Sequence, residues 1–365
     1  MRVMKFLEEF RDLDLAKKLA QKIRETARKD KITLMEVCGT HTMAIHKFGI
    51  RGLLPENIRL ISGPGCPVCV TPNQYLDRAI SFSFKENVLV TTFGDMLRVP
   101  GSSMSLELAR AQGGKVKMVY SPLEALKLAR ENPEIKVVFL AVGFETTSPG
   151  ICVTLAQAEK EKLKNFLVLV GHKLIPPAME ALVKDKRIGV NGFICPAHVS
   201  TIIGLAPYQF LARDYGIPCV VAGFEPLDIL QGIWMLVEMI EAGEAKVKNQ
   251  YQRVARESGN KNAQRLLEKF FEPVDSEWRG LGVIPKSGYK LKEEFSHREA
   301  EKMIPVKVEE TREHKGCRCG EVLQGLIEPK DCPLYGKVCT PESPVGPCMV
   351  SSEGSCSAYY KYVGI

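Results

Sequence analysis

The 365-residue sequence has few of the features that mark membrane proteins or nucleic-acid-binding proteins. Its longest apolar stretches, VVFLAVGF and NFLVLVG, are far shorter than the ~20 residues that a membrane-spanning helix needs. The net charge of +7 is spread over short patches of both signs, and no stripe combines basic with aromatic residues. These absences argue against both a bilayer and a nucleic acid as the partner.

The sequence also lacks the glycine patterns that hold nucleotide phosphates. Neither GxGxxG nor GxxxxGK followed by Ser or Thr occurs, so no nucleotide cofactor is predicted. Two tight C-x₂-C pairs, the usual source of the ligands of a structural zinc ion, are also missing.

Cysteine, by contrast, is abundant, with 12 residues in the chain. The segment 1–23 mixes acids and bases at helical spacing and has no cleavable apolar core, so we expect a surface helix and a cytoplasmic protein. In a reducing compartment cysteines more often bind metals or carry redox chemistry than form structural disulfides.

Short β-branched runs alternate with helical patterns from about residue 31 onward. Runs this apolar are typical of strands buried on both faces, and therefore of parallel sheets with crossover helices. Eight strands are predicted, at 32–37, 58–62, 88–92, 115–120, 136–142, 166–170, 192–195 and 219–223. The length favours two Rossmann-like α/β domains over one wide sheet.

Three domains are therefore predicted. The first, at 31–115, carries the CGTHT and CPVC motifs, and the second α/β domain covers 116–245. The third, at 246–365, is rich in cysteine, glycine and proline, and the N-terminal helix at 1–30 could pack on it.

Several chemically active side chains come directly after predicted strands. In open α/β sheets this carboxyl edge is where ligands bind. The residues placed there are Cys38, Cys66, Asp95, Glu145, His172, His198 and Glu225.

The motif CGTHT places the thiol of Cys38 and the imidazole of His41 at the start of a predicted helix. A helix N-terminus lowers the pKa of a thiol, which favours a nucleophile or metal ligand. His41 could act as a general base, a second ligand or a hydrogen-bond donor. The alternative is that a threonine merely caps the helix and Cys38 is inert.

The motif GPGCPVCV contains Cys66 and Cys69 in a C-x-x-C arrangement. At a strand-to-helix junction such a pair can cycle between dithiol and disulfide. Half of a zinc site and simple buried cysteines are the alternatives. The flanking glycines and proline predict an exposed turn, which favours the redox interpretation.

The tail after residue 316 carries half of the cysteines at irregular spacing: Cys317, Cys319, Cys332, Cys339, Cys348 and Cys356. Irregular spacing suits an iron–sulfur cluster, which takes its thiolates from separate loops. Zinc is the second interpretation and a disulfide framework the third. Cys152 and Cys219 lie in apolar patterns typical of a core, and Cys195 is ambiguous.

Together these motifs resemble a known family. MEVCGTHT, GPGCPVCVTP, TFGDMLRVPG, GFETT, VAGFEPLDILQG, SEWRGLGVI and MVSSEGSCSAYY are similar to the HypD family of [NiFe]-hydrogenase maturation proteins, from about residue 30 to the C-terminus. The resemblance implies two Rossmann-like domains and a third domain with a [4Fe–4S] cluster. It also implies partnership with the small chaperone HypC and with HypE.

The resemblance assigns roles to individual cysteines. Cys38 matches the cysteine that holds the iron of the Fe(CN)₂CO unit together with a HypC cysteine, and Cys66 and Cys69 match the redox-active pair. The cluster ligands carry over to Cys319, Cys332, Cys339 and Cys356. Cys317 and Cys348 lie outside this pattern, and we expect them to be free or joined to each other.

The implied function is a scaffold for metallocentre assembly with thiol redox activity, rather than a conventional turnover enzyme. Two alternatives from other classes remain. One is a protein disulfide reductase resembling ferredoxin–thioredoxin reductase, and the other is a zinc-stabilised α/β binding protein without redox chemistry.

Overall fold

The computed structural model describes residues 8–364 as an α/β protein with two parallel sheets, which confirms the predicted fold class. All eight predicted strands form, and three short or late ones add to them. The strands are β1 (Ile32–Glu36), β2 (Ile58–Ser62), β3 (Val88–Thr92), β4 (Val116–Met118), β5 (Lys136–Ala141), β6 (Phe166–Val170), β7 (Gly192–Pro196), β8 (Cys219–Ala222), β9 (Val247–Asn249), β10 (Phe271–Trp278) and β11 (Gly282–Leu291).

In each parallel sheet the strands are added along the chain first on one side of its first strand and then on the other. The five-stranded sheet, here called sheet A, has the order β2-β1-β7-β8-β9, and the four-stranded sheet B has the order β4-β3-β5-β6. Strand β1 is buried along its whole length, as expected for a strand covered on both faces. Strands β10 and β11 form a separate antiparallel hairpin.

Neither parallel sheet is confined to one of the predicted segments 31–115 and 116–245. Sheet A takes β1 and β2 from one part of the chain and β7, β8 and β9 from another, with sheet B formed in between. The predicted boundary falls directly before β4, which pairs with β3. Runs of apolar residues predict strands but not which strands pair, because pairing depends on contacts far apart in sequence.

The helices cover the faces of the sheets and connect their strands. They are α1 (Leu13–Thr26), α2 (Gly39–Lys47), α3 (Pro67–Val70), α4 (Asn73–Ser83), α5 (Gly94–Arg98), α6 (Leu106–Ala111), α7 (Pro122–Glu131), α8 (Ser148–Lys160), α9 (Ile175–Lys184), α10 (Ala197–Ile203), α11 (Gln209–Tyr215), α12 (Pro226–Glu241), α13 (Lys261–Phe270), α14 (Ala300–Met303), α15 (Cys319–Leu323) and α16 (Ser355–Tyr362). Short 3₁₀ segments occupy Glu8–Arg11, Ile50–Leu53, Ala206–Tyr208, Glu293–Arg298, Pro329–Asp331 and Pro347–Met349.

Helix α1 packs on sheet A and not on the cysteine-rich segment. Its buried residues Ala16 and Ile23 join a core with Leu34 of β1 and with Ile233 and Leu236 of α12. The helix predicted for 1–23 forms at Leu13–Thr26, and residues 1–7 lie outside the described residues. Because the same apolar face would fit any partner, its packing site could not be predicted.

The segment 246–365 divides between two neighbours. Helix α13 and the hairpin pack on the side of sheet B that contains Phe139, with Phe270 and Phe271 in that core. The cysteine tail joins the core of the CPVC loop, where Cys69, Val322 and Met349 lie in one cluster. No helix among residues 8–364 is both long and apolar enough to cross a bilayer.

Candidate functional site at the carboxyl edge of sheet A

The candidate site lies where sheet A reverses its strand order. Strand β1 pairs with β2 on one side and with β7 on the other, although β7 follows some 130 residues after β2 in the chain. Ligands of open α/β sheets bind in the crevice at such a reversal, outside the carboxyl ends of the strands. Cys38 follows β1 by two residues, and His198 follows β7 by two. The sheet therefore brings both side chains to one crevice.

Cys38 and His198 are in direct contact there. The distance from Cys38 Sγ to His198 Nε2 is 3.4 Å, although the residues are 160 positions apart in sequence. Burial lowers the pKa of His198 to about 4, so its imidazole is neutral near pH 7. The sequence placed His198 at the carboxyl edge but could not show that it touches the thiol.

Cys38 is buried, with 1% of its surface exposed, and occupies the N-cap position of α2. Its sulfur accepts hydrogen bonds from the backbone N–H groups of His41 and Thr40, which favour the thiolate. Burial acts in the opposite direction and is the larger effect, so the pKa of the Cys38 thiol is raised. The prediction of a lowered pKa was therefore wrong, because it counted the helix N-terminus and not the loss of water.

Glu36 is a functional-site residue that the sequence analysis missed. Its carboxylate accepts hydrogen bonds from the backbone N–H of Cys38, at 3.0 Å, and from the hydroxyl of Thr42. Burial raises the pKa of Glu36 to about 8. The available signal was an acidic residue inside a strand that is otherwise apolar. Glu36 fixes the loop that carries the thiol.

His41 is fully buried and is oriented by the strand end of β8. Its Nε2 lies 3.1 Å from the carbonyl oxygen of Ala222 and 2.9 Å from that of Gly223, so this nitrogen carries the proton and donates it. Nδ1 is buried without a partner among the described residues. The ring of Phe224 lies beside both histidines, with centroid distances of 4.8 Å to His41 and 5.0 Å to His198.

The CPVC loop lies directly against the CGTHT loop. The N–H of Gly39 donates to the carbonyl of Gly65 at 2.8 Å. A Cβ atom at Gly65 would lie 2.0 Å from the backbone nitrogen of Cys38, so only glycine permits this approach.

Cys66 and Cys69 are buried, at 3% and 0% exposure, which corrects the prediction of an exposed turn. Both thiols are free, and their side chains are close enough to hydrogen-bond each other. Burial and this contact raise the pKa of Cys69. The pair is therefore a dithiol shielded from water beside Cys38.

The tail closes over both loops. The hydroxyl of Thr40 donates to the carboxylate of Glu353 at 2.6 Å, and a Cβ atom at Gly39 would lie 2.6 Å from Cβ of Glu353. Cys69 Sγ lies 3.9 Å from the carbonyl oxygen of Pro347, and Cys356 is near enough to contribute to the raised pKa of Cys69. The cysteines of the tail therefore continue the path of thiols that begins at Cys38.

All six tail cysteines line one cavity. Cys319 and Cys348 are joined by a disulfide. Cys348 is therefore neither free nor joined to Cys317, which corrects that expectation. The free thiols in the cavity are those of Cys317, Cys332, Cys339 and Cys356.

These four free thiols fit an iron–sulfur cluster. Burial raises the pKa of Cys356, and the nearby Cys339, Cys332 and Cys317 raise it further, so the four sulfurs lie close enough to interact. Among residues 8–364 no group of three or more His, Cys, Asp or Glu side chains could hold a single metal ion. A [4Fe–4S] cluster makes a different demand, because each of its four cysteines binds through a separate loop position around a larger centre.

The other candidate residues lie away from this crevice or hold structural contacts. Glu225 pairs with Arg11, and Glu145 and His172 are buried at the carboxyl edge of sheet B. Cys152 is buried in the core of sheet B, as predicted, while Cys195 and Cys219 contact each other inside sheet A.

Known proteins are similar to this chain over almost its whole length. A family model labelled HypD and described as "Hydrogenase formation hypA family" matches residues 14–363. The hydrogenase maturation factor HypD of Azotobacter vinelandii is 48% identical over 98% of this chain and 97% of its own length. The factors of the same name from Escherichia coli K12 and Cupriavidus necator are 45% and 44% identical, each over 98% of this chain and over 98% and 97% of their own lengths.

Proposed function

Since the chain belongs to the HypD family of hydrogenase maturation factors, we propose that it is the scaffold on which the Fe(CN)₂CO unit of a [NiFe]-hydrogenase is assembled. A HypC-like chaperone and HypE are the proposed partners. The observation that carries this proposal is the buried thiol of Cys38 in the crevice of sheet A, with a dithiol packed beside it.

In this proposal Cys38 holds the iron, which is the cargo and not a resident cofactor. Thiolate is a soft ligand that suits iron carrying cyanide and carbonyl. A thiol in a crevice from which water is largely excluded can keep such a unit from exchange with solvent. Glu36 and the N–H groups at the start of α2 fix the position of the sulfur.

Cys66 and Cys69 supply the electrons. If cyanide arrives as a thiocyanate on a partner's cysteine, its release as CN⁻ needs two electrons and returns the partner's sulfur as a thiol. Oxidation of the dithiol to a disulfide provides two electrons and two protons; the departing thiolate takes up one proton, and the other passes to solvent. The CPVC and CGTHT loops contact each other, so the dithiol can release cyanide close to Cys38.

The four free thiols of the tail are the proposed ligands of a [4Fe–4S] cluster. When bound, the cluster supplies electrons one at a time, which would restore the dithiol after each cycle. Compared with the ligands predicted from the resemblance, Cys317 replaces Cys319, because Cys319 is paired with Cys348. Cys332, Cys339 and Cys356 are common to both sets.

The buried position of the pair argues against the disulfide reductase alternative. A dithiol that reduces protein disulfides must reach a sulfur on another protein. Cys66 and Cys69 are covered by the CGTHT loop and the tail, so a small carrier or an inserted partner residue suits them better than a folded disulfide substrate.

The Cys38→Ala variant, produced with its chaperone partner, tests the proposal. We expect the variant to fold, because the neighbouring backbone contacts do not depend on the sulfur, and to lose the infrared bands of bound cyanide and carbonyl. Cys152→Ala is the control, since it removes a buried thiol from the distant core of sheet B. Bands of normal intensity in Cys38→Ala would show that another residue holds the iron.

A further inference from the structure

We propose that His198 is a second protein ligand of the iron that Cys38 holds, so that the two residues form a bidentate thiolate–imidazole site. This inference rests on the proposed function, and it concerns a residue to which none of the motif resemblances assigns a role. Two ligands bind a metal ion more tightly than one cysteine does, so the inference predicts that this site also binds other first-row metal ions.

The separation of the two donor atoms fits one shared metal ion. Cys38 Sγ and His198 Nε2 are 3.4 Å apart. With metal–sulfur and metal–nitrogen bonds of about 2.3 and 2.1 Å, this separation gives an angle of about 100° at the metal. That angle lies between the octahedral and tetrahedral values, so neither side chain has to move far.

The fold holds the imidazole in this position. His198 lies in the first turn of α10, directly after β7, and its ring packs beside Phe224 at a centroid distance of 5.0 Å. An unprotonated imidazole nitrogen has a lone pair that it can offer to a metal ion. His41, the histidine that the sequence suggested as a second ligand, uses Nε2 to donate to the carbonyls of Ala222 and Gly223.

The iron of the Fe(CN)₂CO unit has a coordination position available for His198. An octahedral iron with two cyanides and one carbonyl has three positions left. Cys38 and a cysteine of the chaperone would occupy two of them, and His198 would fill the third. Imidazole is a common ligand of iron in proteins, and it can leave again when the unit is passed on.

The test uses Co²⁺ as the probe, with the full-length, cluster-loaded protein under anaerobic conditions. The difference between the wild-type spectrum and that of Cys38→Ser isolates the thiolate-to-cobalt band of the crevice. We expect His198→Ala to weaken this Cys38-dependent binding at least about tenfold and to shift the ligand-field bands of the remaining complex. The control is His297→Ala, which removes a surface imidazole that contacts Glu159.

His198→Gln guards against a folding defect, because it keeps a polar side chain of similar length beside Phe224 but offers no imidazole. We expect the same loss of affinity as in His198→Ala. Wild-type affinity and an unchanged spectrum in both His198 variants would overturn the inference, as would the absence of any Cys38-dependent cobalt band. The infrared experiment on Cys38→Ala is independent, so the scaffold function can stand while the ligand role of His198 fails.

Discussion

Glu145 shows how a single carboxyl group can make the stability of this protein depend on pH. The residue follows β5 and is 2% exposed. Its Oε1 accepts the N–H of Ile175 at 3.0 Å, while Oε2 is buried without a partner among the described residues. Burial raises its pKa from 4.5 to about 7, so the folded state favours the protonated form.

The variant Glu145→Gln should be less sensitive to pH than the wild type. Because the folded pKa is raised, the stabilising effect is complete below pH 4.5 and is lost as the pH rises through 7. The shift corresponds to about 3 kcal/mol, and glutamine keeps the acceptor for Ile175. Unfolding temperatures at pH 5 and pH 8 should therefore differ less in Glu145→Gln than in the wild type.

The exposed Glu107→Gln is the matched control, because its carboxyl group faces water in the folded protein as in the unfolded chain. It should keep the wild-type pH dependence. Equal pH dependence in Glu145→Gln and the wild type would mean that Glu145 is not the group that titrates.

At this scale the sequence predicted which residue types carry the chemistry, but not how much water reaches them. Cys38 and Cys66 were correctly placed after strands. Their burial, and that of Cys69, depends on Glu353 and Pro347, which cover them from the other end of the chain. The sequence around the thiols contains no signal that these distant residues bury them.

Among the elements, the contact between the two glycine-containing loops controls the position of Cys38. The CGTHT and CPVC loops meet at Gly65, where the backbones are too close for any side chain. Gly52, in the 3₁₀ turn after α2, has open space where its Cβ would lie.

The variant Gly65→Ala should separate the loops and destabilise the protein by about 1–3 kcal/mol, as expected for overpacking. It should also weaken the Cys38-dependent binding of Co²⁺, because the sulfur moves away from His198. Thermal unfolding and the cobalt titration measure both effects. Gly52→Ala is the control and should change neither; a Gly65→Ala variant that behaved like it would show that the loops can adapt.

The hairpin of β10 and β11 shows why some elements escaped prediction. Residues 271–291 contain prolines and many charged residues, and in β10 only every second position is shielded. A two-stranded hairpin on the surface needs few apolar residues, since it is stabilised by packing on its neighbours. Helix α13, which leads into the hairpin, begins at Lys261, where the side chain of Asn260 caps its first turn.

At the scale of the whole molecule, the cysteine tail is the part that the proposed cluster would stabilise. Its buried apolar residues, among them Val322, Leu323 and Met349, share a core with the CPVC loop and do not form one of their own. Metal-binding energy can stabilise such a segment where apolar burial is small.

Substitution of the tail cysteines should separate the two possible ligand sets. We expect Cys317→Ser to lose iron and sulfide and to make the chain after about residue 300 sensitive to protease, while residues 31–245 stay protected. Cys319→Ser should keep its iron, because it breaks only the disulfide with Cys348. Loss of iron in Cys319→Ser but not in Cys317→Ser would restore the ligand set predicted from the resemblance. Unchanged iron content in Cys317→Ser, Cys332→Ser and Cys339→Ser would exclude the cluster.

The interrupted order of sheet A also has a consequence for the newly made chain. Protein synthesis delivers β1 and Cys38 early, but β7 and His198 follow only after all of sheet B has been made. Glu353, which covers Gly39 and Thr40, leaves the ribosome later still. A nascent chain therefore carries the thiol without its neighbours, and the crevice is complete only after residue 353 has been translated. Under the proposed function, the order of translation therefore completes the iron site only near the end of synthesis.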